Sequence, residues 1–178
     1  KLWAIASGKP AVEPMRHEQQ VNSACFSPDG KLLATVSNDR SARIWDVISS
    51  KPVTEPLRHN GAVISIAFSP DGAYLVTGSE DGTAQLWNTR TGKPVFSEPL
   101  AHNSWVNSVS FSPNGQWLVT ASEDRRVRVW DVATGNLVYQ PLRHDGIVKS
   151  ATFSPDGRWI VTASHDKNVR VWNALTRE

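Results

Sequence analysis

Four copies of one spaced motif follow one another along this chain. Each copy holds a histidine, a Phe-Ser-Pro-Asp/Asn-Gly turn, a Ser-x-Asp sequence, and a tryptophan 28 residues after the histidine. The copies run from His17 to Trp45, His59 to Trp87, His102 to Trp130, and His144 to Trp172. They recur at steps of 42, 43 and 42 residues, and a period in this range is typical of repeat architectures. The chain is therefore predicted to be a stack of like units.

Each unit contains segments with the character of short antiparallel strands. In the second unit, 63–68 and 74–77 are apolar runs separated by the turn Ser-Pro-Asp-Gly at 69–72, and 83–87 follows a second turn at 79–82. Proline sets the φ angle that the second position of such a turn needs, and glycine accepts the left-handed conformation that closes it. The first two strands are apolar at nearly every position, which indicates burial on both faces of the sheet. Every sheet is therefore predicted to lie between neighbouring sheets.

The fourth segment of each unit has the character of an edge strand. In the first unit it is 51–57, which carries two prolines. Because proline cannot donate to a strand ladder, this segment is predicted to be outermost and to pair only briefly. The corresponding segment of the second unit, 93–102, has one added residue around Ser97 and Glu98, which predicts a local bulge.

Four-stranded sheets stacked face to face around an axis are the blades of a β-propeller. The chain resembles the WD40-repeat family, whose Trp-Asp dipeptide occurs here at 45–46 and 130–131, with relaxed versions at 87–88, 172–173 and 3–4. The near-identical copies of Pro-Leu-Arg-His and Phe-Ser-Pro-Asp-Gly resemble bacterial-type WD40 arrays. The resemblance spans essentially the whole chain. It implies an all-β propeller of about four four-stranded blades in a partial or open ring.

From this resemblance we expect residues 1–178 to form one propeller segment. Residues 1–16 parallel the third and outer strands of a preceding blade, and the last unit lacks its outer strand, so we expect a section of a longer array. The four units are 17–58, 59–101, 102–143 and 144–178. An N-terminal strand near residues 10–15 could complete the last blade and close a four-bladed ring. We favour an open arc that can self-associate through its open blade edges, two copies making an eight-bladed ring.

Each unit carries a histidine, a threonine, an aspartate and a tryptophan at fixed offsets. In WD40 proteins the matching side chains form a buried hydrogen-bonded tetrad, and the resemblance implies the same here. The sets are His17, Thr35, Asp39 and Trp45; His59, Thr77, Asp81 and Trp87; His102, Thr120, Asp124 and Trp130; and His144, Thr162, Asp166 and Trp172. A hydroxyl, an imidazole and a carboxylate could instead act as nucleophile, base and orienting acid. Because the set is copied in every unit and an active site is usually single, we predict structural tetrads, no catalytic residue and no enzyme activity.

Variation between the units falls in the loops, where a rigid scaffold usually places recognition. The resemblance points to three positions per blade on the face reached by the loop after each histidine and by the second turn. They are Gln20, Asn22 and Asn38; Ala62, Ile64 and Glu80; Trp105, Asn107 and Glu123; and Ile147, Lys149 and His165. Apolar residues among polar neighbours, with an aromatic anchor, are typical of a contact patch. Trp105 is the leading candidate, and the alternative is that its ring packs on a neighbouring loop.

The remaining chemistry of the sequence favours few other partners. Nineteen Lys and Arg against seventeen Asp and Glu are scattered through the units, so nucleic acid is not expected as a partner. The histidines lie about one repeat apart with no cysteine cluster, so no metal is predicted, and no glycine-rich loop indicates a cofactor. No apolar stretch has the length that crossing a bilayer requires. The lone Cys25 cannot form an internal disulfide, which favours a reducing, cytoplasmic compartment.

The third strands carry Arg43, Gln85, Arg128 and Arg170, which alternate with apolar residues and are expected to face solvent. The favoured function is a non-enzymatic scaffold that binds a protein or peptide on the loop face. One alternative is a regulatory or sensor module of a larger signalling protein, such as a kinase or NTPase fusion. A propeller enzyme is less favoured, because the sequence shows no unrepeated cluster of ionisable residues.

Overall fold

The computed structural model describes residues 3–4, 8–10 and 14–176 of the chain. It consists of strands and turns, and no helix occurs among these described residues. Two short strands near the N-terminus, β1 (Trp3–Ala4) and β2 (Lys9–Pro10), form a separate antiparallel hairpin. The prediction of an all-β chain is confirmed.

Four antiparallel sheets follow, and each of them is a blade in which the strands lie in chain order. Blade 1 consists of β3 (Val21–Phe26), β4 (Leu32–Ser37), β5 (Ser41–Asp46) and β6 (Leu57–Arg58). Blade 2 consists of β7 (Val63–Phe68), β8 (Tyr74–Ser79), β9 (Thr83–Asn88) and β10 (Leu100–Ala101). Blade 3 consists of β11 (Val106–Phe111), β12 (Trp117–Ser122), β13 (Arg126–Asp131) and β14 (Leu142–Arg143). Blade 4 consists of β15 (Val148–Phe153), β16 (Trp159–Ser164) and β17 (Val169–Asn173) within the described part of the chain.

The turn between the first two strands of each blade is built by serine, aspartate and glycine. In blade 1, Gly30 has a φ of 71°, in the left-handed region that glycine adopts without a steric penalty. The Ser27 hydroxyl donates to Asp29 at 2.7 Å and accepts the Leu32 backbone N–H at 2.9 Å. These bonds set the register of the hairpin, and the same Ser-Pro-Asp/Asn-Gly sequence recurs in the other blades.

Consecutive blades pack face to face through apolar clusters. One cluster joins blades 1 and 2, a second joins blades 2 and 3, and a third joins blades 3 and 4. In the first, Ile44 of blade 1 and Val63 of blade 2 are completely buried. Trp87 of blade 2 packs in this same cluster, and Trp130 of blade 3 packs with blade 2. In these two blades the repeated tryptophan therefore faces the preceding blade.

The outer strands pair over two residues only, in β6, β10 and β14. Before each of them the chain makes one isolated bridge, such as Trp45 with Pro52 in blade 1 and Trp87 with Pro94 in blade 2. Between the bridge and the strand the segment loops away from its neighbour. The added residue of the second unit lies between Pro94 and Leu100. It therefore lengthens an unpaired segment that the other outer segments also contain.

The two ends of the arc expose apolar side chains whose counterparts inside the arc are buried. Phe26 of blade 1 is 53% exposed, whereas its counterpart in blade 4, Phe153, is 8% exposed. Val171 of blade 4 is 58% exposed, and its counterpart in blade 3, Val129, is completely buried. The three clusters among the described residues join consecutive blades only. The predicted closing segment near residues 10–15 includes 11–13, which lie outside the described residues.

Candidate protein-binding rim and the tetrads beneath it

Two loops of each unit meet at the same edge of the arc. A backbone hydrogen bond joins them in every unit, as from Asn38 N–H to Gln20 O and from Glu123 N–H to Trp105 O, both at 2.9 Å. We call this edge the loop rim. It comprises 17–20, 38–40, 59–62, 80–82, 102–105, 123–125, 144–147 and 165–167. The backbone bonds mean that the rim loops are held in place by the sheets beneath them.

A chain of side-chain hydrogen bonds lies directly under the rim in blade 2. Trp87 Nε1 donates to Thr77 Oγ1 at 2.8 Å, and Thr77 Oγ1 lies 2.7 Å from His59 Nε2. His59 Nδ1 lies 3.2 Å from Asp81 Oδ2. A carboxylate can only accept, so Nδ1 of the imidazole donates to Asp81. Each polar group of the chain thus has a partner of the opposite kind.

The structure brings together the members of the other predicted tetrads in the same way. The tryptophan-to-threonine distances are 2.8, 2.9 and 3.0 Å in blades 1, 3 and 4. The threonine-to-histidine distances are 2.7, 2.7 and 2.8 Å, and the histidine-to-aspartate distances are 2.9, 3.2 and 2.9 Å. The histidine side chains are at most 3% exposed in all four blades. A hydroxyl that is buried and already hydrogen-bonded on both sides is not available to attack a substrate.

The carboxylates of the tetrads are stabilised in their charged form. Burial raises the pKa of Asp81, but hydrogen bonds from His59, Thr83 and the Asn60 backbone N–H outweigh it and hold that pKa well below its usual range. The pKa values of Asp39, Asp124 and Asp166 are lowered in the same way, against the opposing effect of burial. Each tetrad therefore holds a charged carboxylate against the Nδ1 side of its imidazole.

The expectation that the third-strand arginines and glutamine face solvent is wrong in blades 2 and 3. Gln85 is 9% and Arg128 is 8% exposed. Arg128 Nη1 donates to Asp124 Oδ2 at 2.6 Å and contacts His102 Nδ1. Burial lowers the pKa of His102; the Asp124 carboxylate opposes this, and the charge of Arg128 adds to the lowering. In blade 3 the prediction from alternating apolar and polar residues was wrong because the Asp124 carboxylate attracts the Arg128 guanidinium inward.

The spacing of the sequence contained a signal that the third-strand arginine contacts the tetrad. An arginine follows the tetrad aspartate by four residues in blades 1, 3 and 4, and glutamine takes that place in blade 2. The guanidinium carbons of Arg43 and Arg170 lie 5.9 and 6.0 Å from the ring centroids of Trp45 and Trp172. These distances are within the range of a cation–π contact. The arginine thus packs on the tryptophan of its own tetrad in blades 1 and 4, and it pairs with the tetrad aspartate in blades 3 and 4.

The predicted partner-binding residues differ in their exposure to solvent. Gln20, Trp105, Lys149 and His165 are exposed, and the other eight are partly buried: Asn22, Asn38, Ala62, Ile64, Glu80, Asn107, Glu123 and Ile147. Trp105 is 44% exposed. Several of the partly buried residues have side-chain polar groups that already form hydrogen bonds or ion pairs within the protein.

Four of these positions join neighbouring blades, through three contacts. The amide of Asn22 donates to Val63 O at 2.9 Å, and the amide of Asn107 donates to Val148 O at 3.0 Å. Lys149 Nζ lies 3.0 Å from Glu123 Oε1 of the preceding blade. Asn22 and Asn107 therefore already use their amides in blade packing, whereas Trp105 is the large apolar side chain that the rim leaves exposed.

Two further features concern the described residues only. No group of three or more His, Cys, Asp or Glu side chains with the geometry of a metal site occurs in the described part of the chain. Residues 3–4, 8–10 and 14–176 also include no helix with the length and apolar character needed to span a bilayer.

Comparison with known proteins gives one family. A comparison of the chain with curated protein sequences finds no match. The family model described as WD domain, G-beta repeat matches four times, at residues 8–46, 50–88, 92–131 and 135–173. These matches cover most of the chain and coincide with the repeated strands and tryptophans described above. The chain therefore belongs to the WD40 repeat family.

Proposed function

We propose that this chain is a non-enzymatic scaffold that binds a protein or peptide on its loop rim. WD40 repeats are generally protein-interaction modules and are typically non-enzymatic. The observation that carries the proposal is Trp105, a large apolar side chain that is 44% exposed on a loop held by a backbone bond to Glu123. Exposed tryptophans on well-fixed loops are frequent anchors of protein interfaces.

The tetrads support this role from below. They link the rim loop of each unit to its second and third strands, since the histidine and the aspartate lie on the rim and the threonine and tryptophan lie in the strands. A loop that is already ordered loses little conformational entropy when a partner binds. We propose that the tetrads are structural and that they keep the rim in a binding-competent form.

The test compares two exposed apolar residues at opposite edges of the arc. Trp105→Ala should reduce capture of a protein partner by the immobilised chain at least tenfold, the scale expected for an interface anchor worth more than about 1.4 kcal/mol. Its melting temperature should stay within about 2 °C of the original chain, because surface changes rarely alter stability much. Ile48→Ala, at a residue that is 87% exposed on the other edge, is the matched control and should leave capture unchanged.

Two results would reject the rim as the binding surface. One is equal capture by the Trp105 and Ile48 variants. The other is a Trp105 variant that unfolds at a lower temperature and binds normally while folded, which would make the ring part of the core. Sequencing the surrounding gene would separate a free scaffold from the regulatory module of a kinase or NTPase fusion.

We also propose that the open faces of blades 1 and 4 let the chain self-associate. Inside the arc, Trp117 of blade 3 packs against Phe153 of blade 4 with ring centroids 6.5 Å apart. The matching residues at the ends are Trp159, which is 44% exposed, and Phe26, which is 53% exposed. A second copy can therefore repeat the contact between chains, and head-to-tail contacts at both ends would close an eight-bladed ring.

Sedimentation equilibrium tests this association. The chain has a mass of 19.6 kDa, and the expected species at high concentration has twice that mass. Val171→Lys places a charge on the open face of blade 4 and should leave a monomer, whereas Ile48→Lys should still associate. A monomer at every concentration for the original chain would rule the association out.

We further place the chain in a reducing compartment such as the cytoplasm. Cys25 is half-buried and has no cysteine partner, and burial raises the pKa of its thiol to about 11, although a backbone hydrogen bond from Phe68 opposes the rise. Such a thiol is a poor nucleophile at neutral pH and is suited to packing. Fractionation of cells expressing the full gene would check this location.

A further inference from the structure

Three arginines surround a shallow depression at the outer edge of the loop rim in blade 3. Arg125 and Arg126 follow the tetrad residue Asp124, and Arg143 ends β14 on the neighbouring strand. The three residues line a depression of about 170 Å³ together with Asp124 and His144. We call Arg125, Arg126 and Arg143 the arginine cup.

The arginine cup works against the stability of its own blade. The strand register places Arg126 directly opposite Arg143, and like charges in directly opposed positions destabilise a sheet. The same two positions hold Ser41 and Arg58 in blade 1 and Thr83 and Ala101 in blade 2. A local pattern that departs from what the rest of the chain does is typical of a functional position.

Arg126 also lacks a side-chain hydrogen bond that the residue at this position makes in blades 1 and 2. The hydroxyls of Ser41 and Thr83 each donate to the tetrad aspartate at 2.6 Å. At the same place in blade 3, Arg126 contributes only its backbone N–H, at 3.0 Å from Asp124 Oδ1. Neither charge pairing nor tetrad bonding therefore explains the presence of an arginine here.

Asp124, which lines the arginine cup, and Asp145, which follows the lining residue His144, already have other partners. Asp124 Oδ2 accepts from Arg128 at 2.6 Å, and Asp145 lies 3.4 Å from Arg170. None of the three cup arginines forms an ion pair with any residue that the structure describes. The positive charge of the cup is thus free to attract an anion from outside.

We propose that the arginine cup binds a phosphate monoester on a serine or threonine of the partner peptide. Guanidinium groups bind phosphate oxygens in pairs, and a phosphoserine carries about −1.5 to −2 charges and three acceptor oxygens. The depression is smaller than the roughly 300–1,000 Å³ of a small-molecule site, which favours an anionic group carried on a larger partner. A nucleic-acid strand needs a basic groove that follows its backbone, and the charges of this chain are scattered.

The experiment replaces the cup with the residues that blade 2 carries. The triple variant R125G/R126T/R143A reproduces Gly82, Thr83 and Ala101, so it should fold as well as the original chain. The matched control K31A/R90A/R158A removes the same charge from the opposite edge. The probes are the blocked tripeptide Ala-phosphoserine-Ala, its serine and glutamate analogues, inorganic phosphate and a short oligouridine, all at low ionic strength and followed by NMR of the arginine Nε–H groups.

The original chain and the control should bind the phosphotripeptide with the largest shifts at the cup arginines, and the triple variant should bind it at least tenfold more weakly. Binding of inorganic phosphate should be weaker and should compete for the same arginines. Equal binding of the serine tripeptide, equal binding by the triple variant, or tighter binding of oligouridine at these arginines would overturn the proposal. The inference rests on the proposed protein-binding function in one respect, namely that the phosphate is carried by a protein partner. Trp105 is intact in every variant of this experiment. A negative result for phosphopeptide binding at the arginine cup is therefore distinguishable from a negative result for the Trp105 variant.

Discussion

At the scale of single residues, the four tetrads share their hydrogen bonds but differ in what else binds the aspartate. Serine or threonine hydroxyls donate to the carboxylate in blades 1 and 2, and the Arg128 guanidinium does so in blade 3. Each solution gives the buried carboxylate several donors, and a buried charge without them would be very unfavourable. The constant part of the network joins the histidine of the rim to the tryptophan of the third strand, which sets how the loop sits on the sheet.

The depressed pKa of Asp81 makes stability depend on pH in one direction. In the unfolded chain this carboxylate should titrate near its usual value of about 3.9, whereas the folded chain keeps it charged to lower pH. The stabilising contribution is therefore present above about pH 4 and is lost as the pH falls towards the lower folded value. Urea unfolding between about pH 5 and 2 should show the original chain losing stability steadily.

The variant Asp81→Asn gives the comparison. At neutral pH it should be less stable than the original chain by roughly 1–3 kcal/mol, because the partners of the carboxylate lose their charged acceptor. On acidification it should lose less than the original chain does. Asp145→Asn, at an exposed carboxylate, should follow the original curve, and identical slopes for Asp81→Asn and the original chain would contradict the assignment.

At the scale of strands and sheets, blades 2 and 3 approach each other closely at Gly78. Gly78 in β8 occupies the position that Val36, Ala121 and Ala163 hold in the other blades. A Cβ atom at Gly78 would lie 2.8 Å from Val106 O and 3.0 Å from Val106 Cγ1 of blade 3. The glycine therefore lets β11 approach closer to β8 than an alanine would allow.

Gly78→Ala should consequently destabilise the chain, although blades 3 and 4 have alanine at the same position of the repeat. The entropic gain of replacing glycine in a strand is about 0.5–1 kcal/mol, and overpacking a well-filled core costs about 1–3 kcal/mol. Because the obstructing atom is a backbone oxygen, we expect the packing term to win. Chemical denaturation would measure the difference, with Ala163→Gly in the more open blade 4 as the comparison; a more stable Gly78→Ala variant would show that the blades separate easily.

At the scale of the whole molecule, the features that could be predicted are those that arise within one repeat. The hairpin turns, the strand order and the tetrad members are separated by no more than 28 residues, and the repetition shows which of them belong together. The inward turn of Arg128 and the Asn22 and Asn107 amide bonds to the next blade depend on contacts between parts of the chain, so alternation alone could not predict them. The exposed positions of Phe26 and Val171 follow from where a blade lies in the arc, since their sequence counterparts are buried.

These observations give one account of the molecule. Adjacent sheets bury each other's apolar faces, and a buried polar network within each sheet fixes the loops that we propose to bind partners. Thr77 is the centre of this account, because its completely buried hydroxyl bonds both Trp87 and His59.

The free energy of unfolding of Thr77→Val tests the account most directly. Valine keeps the shape of threonine and removes the hydroxyl, which leaves the Trp87 indole N–H and the His59 imidazole without their partner. We predict a loss of about 2–6 kcal/mol by urea denaturation, from roughly 1–3 kcal/mol for each of the two unsatisfied groups. Thr152→Val, at an exposed threonine of β15, should change stability by less than about 0.5 kcal/mol. Equal unfolding free energies for the two variants would contradict the claim that the buried tetrad fixes the rim loop to its sheet.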